Sequence, residues 1–198
     1  MSIKIVTGKA GSGKSTYCKK LLLEGYQYLA HDEWVHAQFD DLHSDTQKFL
    51  FDILDSSFYV PSTTPSMVVI DKQKLITTLM NDDELNNIFI DYFTSNFVGV
   101  MKRMIIMALE TDTDLVIEVP YLDHSIAWLK RRYPQVEIVY LDVPTKVLAS
   151  RLKERGWDYK RIDYSLDLYV KMWDTINFPK PEITTITCLL YTSPSPRD

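Results

Sequence analysis

The sequence predicts a three-layer α/β/α fold built around a mainly parallel five-stranded sheet. Three observations predict it. The first apolar run, Ile3 to Thr7, ends at a glycine-rich loop that opens directly into a helical pattern. The later apolar runs are continuous rather than alternating, which marks strands covered on both faces. Helical patterns separate these runs, the arrangement that produces parallel strands through crossover connections. Right-handed crossovers then place a ligand at the carboxyl ends of the strands.

The elements follow in order. Ile3 to Thr7 is the first strand, and Lys14 to Glu24 a helix. Gln27 to Ala30 reads as a second short strand. Ser56 to Ser66 reads as a loop from its Ser, Thr and Pro content. Helical patterns cover Gln47 to Asp55, Lys72 to Asn81, Asp83 to Glu110, Ser125 to Arg132, Thr145 to Arg155 and Asp163 to Trp173. Asp114 to Val119 and Val136 to Asp142 are the clearest buried strands, rich in β-branched residues and closed by Pro120 and Pro144. Glu182 to Thr187 is a candidate last strand.

The loop Gly8-Lys9-Ala10-Gly11-Ser12-Gly13-Lys14-Ser15 fills the pattern G-x-x-x-x-G-K-[S/T]. Glycines there let successive backbone N–H groups converge on a phosphate, and the helix N-terminus adds its dipole. Lys14 is placed for the β- and γ-phosphates, and the Ser15 hydroxyl for Mg²⁺. Gly8, Ala10, Gly11, Ser12, Gly13, Lys14, Ser15 and Thr16 are thus the candidate ATP-binding residues. The strand before the loop and the helix after it supply the context that this motif requires, which makes the fold of the P-loop NTPase type.

Further residues narrow the chemistry. No Asn-Lys-x-Asp segment is present to read guanine, and the chain is short for a large motor-like ATPase. Asp32 follows the second strand, where a carboxylate can take the proton of an attacking hydroxyl; the alternative is that it caps the next helix. Glu118 ends a buried strand where Mg²⁺ or its waters are held, or else it pairs with a nearby Lys or Arg. Arg151 and Arg155 lie four residues apart on one helix just before Gly156, which suggests a hinge into a basic lid over the transferring phosphoryl. The alternative is a solvated basic helix end that complements the dipole; Lys153, Lys160 and Arg161 extend the cluster. Trp157, Tyr159 and Tyr164 either stack on adenine or cover the lid. The candidate catalytic residues are therefore Lys14, Asp32, Arg151 and Arg155, with Ser15 and Glu118 as metal-holding residues.

Bulk composition excludes some classes. With 22 basic and 27 acidic residues the net charge is −5, which argues against nucleic acid as the main partner. No run of about 18 apolar residues is present, so no membrane-spanning helix is expected. The first residues lack the apolar segment of a secretory signal, and two cysteines make no disulfide framework. A cytoplasmic compartment is the expectation. Residues 188–198 shift abruptly to Ser- and Pro-rich sequence and read as a non-native tail.

Taken together, the motifs resemble the dephospho-coenzyme A kinases. The correspondence runs through Gly8 to Thr16, Asp32, Asp71-Lys72-Gln73-Lys74-Leu75, Glu118-Val119-Pro120-Tyr121-Leu122 and Arg151-Leu152-Lys153-Glu154-Arg155, over roughly residues 1 to 160. Three segments depart from that family's pattern: Thr94-Ser95, Gln47 to Ser66, and Tyr164 to Pro181. The resemblance implies a kinase domain over 1–187, a helical acceptor-binding insertion at 46–110 and a lid at 151–165. It also implies ATP-dependent phosphorylation of the ribose 3′-hydroxyl of dephospho-coenzyme A, in coenzyme A biosynthesis. Asp32 would be the base, and Lys14 and Arg155 the charge stabilisers. The alternatives are a deoxynucleoside monophosphate or polynucleotide 5′-kinase and, from another class, an ATP-binding regulatory module.

Overall fold

A computed structural model describes residues 1–40, 45–61, 68–174 and 183–187. The suspected tail at 188–198 and the part of the expected loop at 62–66 lie outside them, as does Glu182. The chain divides into two compact units, one comprising Met1–His31 and Phe97–Asp198 and the other Asp32–Asn96.

The first unit contains a five-stranded parallel sheet. Its strands are β1 (Ile3–Thr7), β2 (Gln27–Ala30), β5 (Leu115–Glu118), β6 (Val136–Asp142) and β7 (Thr184–Thr187), in the spatial order β2-β5-β1-β6-β7. Every pairing between them is parallel. All four residues of β5 are buried, as a continuous apolar run predicts. Helix α1 (Lys14–Leu23) joins β1 to β2, moving toward one sheet edge, while α6 (His124–Arg132) joins β5 to β6, moving toward the other. With right-handed crossovers the two helices must cover opposite faces.

Alternation along the strands sorts the core accordingly. Val6, Val116, Val139 and Leu141 pack against Cys18 and Leu21 of α1. Tyr140, on the other face of β6, stacks on Tyr169 of α8 (Tyr159–Asp174) at 5.8 Å. Because Glu118 is two residues beyond Val116, it shares the α1 face. Register places it beside Val6 of β1 and Ala30 of β2. This parity, set by the apolar pattern alone, aims the carboxylate at the start of α1.

Helix α7 (Thr145–Glu154) ends in a glycine turn. Gly156 adopts φ 83°, its N–H bonds to the Lys153 carbonyl at 2.9 Å, and the Trp157 N–H reaches back to Leu152 at 3.1 Å. Trp157 and Leu152 belong to one apolar cluster, which completes the Schellman arrangement. The glycine expected at the hinge thus follows α7 as part of its C-terminal cap. Asp158 then accepts from the Arg161 N–H at 2.7 Å and starts α8 at Tyr159, four residues before the expected start.

The second unit holds α3 (Asp45–Ile53), α4 (Lys72–Leu79) and the antiparallel pair β3 (Tyr59–Pro61) and β4 (Val68–Ile70). Helix α2 (His31–Asp40) begins at the unit boundary, and α5 (Asp83–Thr111) runs through Asn96 and Phe97 from one unit to the other. Leu50, Leu54, Phe58, Ile70 and Leu75 form the second unit's apolar core. The expected loop from Ser56 is corrected here: it opens with a 3-10 turn over Ser56–Phe58, capped by Asp55, and continues as β3. The aromatic Tyr59 and β-branched Val60 favour the pleated pairing over an open loop. Asp71 caps α4 by accepting from Lys74 N–H at 2.9 Å. Among the described residues no helix is long and apolar enough to cross a membrane.

Candidate active site

The loop between β1 and α1 is held by short-range geometry. Gly13 occupies the N-cap of α1 at φ 91° and ψ 20°, a conformation that side-chain-bearing residues rarely adopt. No side chain caps the helix there, so the first-turn N–H groups are left to an external acceptor. Ser12 N–H closes a turn onto the Lys9 carbonyl at 3.1 Å. The Ser12 hydroxyl is buried and, among the described residues, has no hydrogen-bonding partner. Gly8 is packed so tightly that an added Cβ would lie 2.7 Å from Ser12 Oγ and 2.9 Å from the Leu141 carbonyl oxygen. The second neighbour is backbone and cannot move aside. Gly8→Ala should therefore lower stability by about 1–3 kcal/mol, as overpacking does. A thermal melt and an ATP titration read the two consequences; an unchanged melting temperature would contradict the packing argument.

Lys14 lies across the loop, its Nζ donating to the Gly8 carbonyl at 2.8 Å and the Lys9 carbonyl at 3.4 Å. Ser15 Oγ donates to Glu118 Oε1 at 2.8 Å. This contact joins residues 103 positions apart and unites the two side chains expected to hold a metal. Tyr28 of β2 donates to the other carboxylate oxygen, Oε2, at 2.5 Å. Nothing in the local sequence around Tyr28 marks it; only the parallel register of β2 on β5 places it there.

Arg151 does reach the loop, donating to the Gly11 carbonyl at 3.1 Å. This bond to the backbone braces the loop. Arg155 closes α7 as its C-cap residue and is exposed. The surrounding basic groups rest on aromatic rings: Arg161 lies 4.0 Å from the Trp157 ring centroid and Lys153 5.4 Å from that of Tyr159. Ala10 packs with Leu148 and Leu152 of α7, while Ser15 and Thr16 are exposed. Asp32 lies inside the first turn of α2, which starts at His31, and so is not that helix's cap.

Two buried groups have raised pKa values. Cys18, one turn into α1, has its thiol pushed up, chiefly by burial and then by the Glu118 carboxylate, with Lys14 opposing. Asp123 caps α6, accepting from Ser125 N–H at 2.8 Å and Ile126 N–H at 3.1 Å. Burial raises its pKa, against those two bonds and the nearby His124 and His31. A raised folded-state value means that ionisation costs stability. Stability should therefore fall as pH climbs from the ordinary aspartate value through the raised one, then level off. Denaturant unfolding across that window should show the slope in the native protein and lose it in Asp123→Asn, which keeps the cap.

These residues fit nucleotide phosphates with Mg²⁺. The uncapped helix start, the buried Ser12 hydroxyl and the close-packed glycine cradle suit an anion. For the cation, Ser15 and Glu118 offer two oxygen-bearing side chains. Among the described residues no cluster of three or more His, Cys, Asp or Glu could hold a metal by itself. Mg²⁺ commonly takes only one or two protein ligands and completes its shell with phosphate and water.

The fold and loop define a P-loop α/β protein of kinase-like architecture. Residues 5–170 match the AAA domain family, and the chain belongs to it. No curated protein sequence matches the chain. Among solved structures, dephospho-CoA kinase from Campylobacter jejuni is similar at 16% identity and a TM-score of 0.52, covering 93% of this chain and 88% of that one. TT1252 from Thermus thermophilus is similar at 16% identity and a TM-score of 0.55, covering 87% and 83%. The Pnkp1/Rnl/Hen1 RNA repair complex is similar at 16% identity and a TM-score of 0.50, covering 97% of this chain and 51% of that one. At these identities the likeness is one of fold.

Proposed function

We propose that the chain transfers the γ-phosphoryl group of ATP to a hydroxyl of a nucleotide-like acceptor, the ribose 3′-hydroxyl of dephospho-coenzyme A. The observation that carries the reaction type is the Ser15–Glu118 hydrogen bond at the start of α1, beside the Lys14-spanned loop. A pure phosphate binder needs the loop and the lysine but has no use for a carboxylate oriented on the loop serine. The acceptor is supported by the resemblance of the segments Asp71 to Leu75 and Glu118 to Leu122 to the dephospho-coenzyme A kinases. In the first, Asp71 caps a helix and Leu75 is core; in the second, Val119 and Leu122 are buried beneath the turn.

In this reading the acceptor oxygen forms a bond to the γ-phosphorus as the bond to the β–γ bridging oxygen breaks, and ADP leaves. Asp32 takes the hydroxyl proton. Lys14 holds the β- and γ-phosphates, and Arg151 braces the loop through the Gly11 carbonyl. Arg155, exposed at the end of α7, supplies positive charge to the transferring group. Ser15 and Glu118 would hold Mg²⁺, which when bound neutralises charge on the phosphate oxygens.

A coupled ADP-release assay across dephospho-coenzyme A, deoxynucleoside monophosphates and 5′-hydroxyl oligonucleotides tests the proposal. Turnover with dephospho-coenzyme A alone is expected. Brisk turnover of one of the other acceptors, with none of dephospho-coenzyme A, overturns the acceptor assignment. ATP binding without acceptor-stimulated ADP release overturns the kinase reading in favour of a regulatory module.

A further inference from the structure

We propose that Tyr28 is a positioning residue for the divalent cation, acting through Glu118; this rests on the reading of Ser15 and Glu118 as the cation-holding pair. The Glu118 carboxylate is gripped from two sides. Oε1 accepts from Ser15 of α1 at 2.8 Å and Oε2 accepts from Tyr28 of β2 at 2.5 Å. Two donors on two oxygens fix the plane of the carboxylate, which would otherwise rotate about its last torsion.

The fixed plane has a consequence for Ser15. A serine hydroxyl has one proton and two lone pairs. Here the proton is committed to Glu118, so the oxygen's lone pairs are turned away from the carboxylate and free to meet a cation. Each carboxylate oxygen likewise keeps acceptor capacity beyond its single bond, enough for a metal-bound water. Mg²⁺ demands near-ideal octahedral geometry, so a ligand set that drifts loses affinity.

Tyr28 is itself well held. It stands opposite Val116 in the β2–β5 register, one step back from the Ala30–Glu118 pair on the same face. Its ring packs against the cluster of Val6, Cys18, Leu21 and Val116. The strand thus delivers a rigid phenol to the end of the neighbouring strand. Groups that orient a metal's ligands typically change metal affinity or activity by about 10–100-fold when removed.

The test is Tyr28→Phe, which removes one hydroxyl and keeps the packed ring. ATP is titrated calorimetrically with EDTA and then at stepped Mg²⁺ concentrations, alongside the Mg²⁺ dependence of turnover. We expect unchanged ATP affinity in EDTA and about 10-fold more Mg²⁺ needed for half-maximal tightening. Glu118→Gln should show a comparable shift, and Tyr28→Phe added to it should have no further effect. An additive loss in the double variant overturns the proposal, as does an equal loss of ATP affinity with and without Mg²⁺. A normal wild-type Mg²⁺ response that Tyr28→Phe leaves unaltered overturns this proposal alone. Wild-type protein that binds ATP no better with Mg²⁺ overturns the reading of the site and this proposal with it.

Discussion

Replacing Lys14 with alanine should abolish measurable ATP binding and lower kcat/KM by at least about 10²–10³-fold, the scale on which enzymes lose rate when one preorganised donor is removed. The lysine has two tasks that fail together. Its ammonium ties the Gly8 and Lys9 carbonyls together and so braces the loop. On the proposed assignment it also supplies the positive charge that the β- and γ-phosphates require. Calorimetry should show the lost binding, and a thermal melt should show that ATP no longer raises the melting temperature, since a ligand stabilises only the state that binds it. Lys14→Ala protein that keeps both its ATP affinity and its turnover would refute the assignment of the loop.

Asp32→Asn should lower kcat by about two to four orders of magnitude while leaving ATP affinity nearly unchanged. The competing role is electrostatic support of a helix. Asp32 lies in the first turn of α2, where a negative side chain is favoured by the helix dipole by about 0.3–1 kcal/mol. That role predicts a small loss of stability and no loss of rate. Steady-state kinetics and denaturant unfolding on the same preparation separate the two, and an unchanged kcat would remove Asp32 from the chemistry.

What could be read in advance divides along physical lines. Strands β1, β2 and β6 were legible to the residue because each is a short apolar run bounded by glycine, a polar residue or proline. The loop was legible because its pattern is local, with every motif residue within eight positions. Helix α2 was not, since it follows β2 without a turn residue to mark the change of period. The β3–β4 pair was hidden by a Ser-, Thr- and Pro-rich composition that ordinarily means loop. The most consequential omission, Tyr28, depends on a contact across 90 positions. Strand register creates that neighbour, and register is not written in either strand by itself. Arg151 was singled out, but its partner, a backbone carbonyl of the loop, could not be inferred from helical spacing.

The loop glycines have a further thermodynamic meaning. With Gly13 seated in a left-handed conformation and Gly8 pressed between Ser12 and the Leu141 carbonyl, the cradle takes its shape when the chain folds. Ordering a residue's backbone costs about 1–2 kcal/mol, and here that entropy is given up during folding and not again when the nucleotide arrives. Nucleotide affinity and the stability of the first unit are consequently drawn from one reserve. Solution conditions that loosen the packing of α7 on Ala10 should weaken ATP binding before they unfold the sheet.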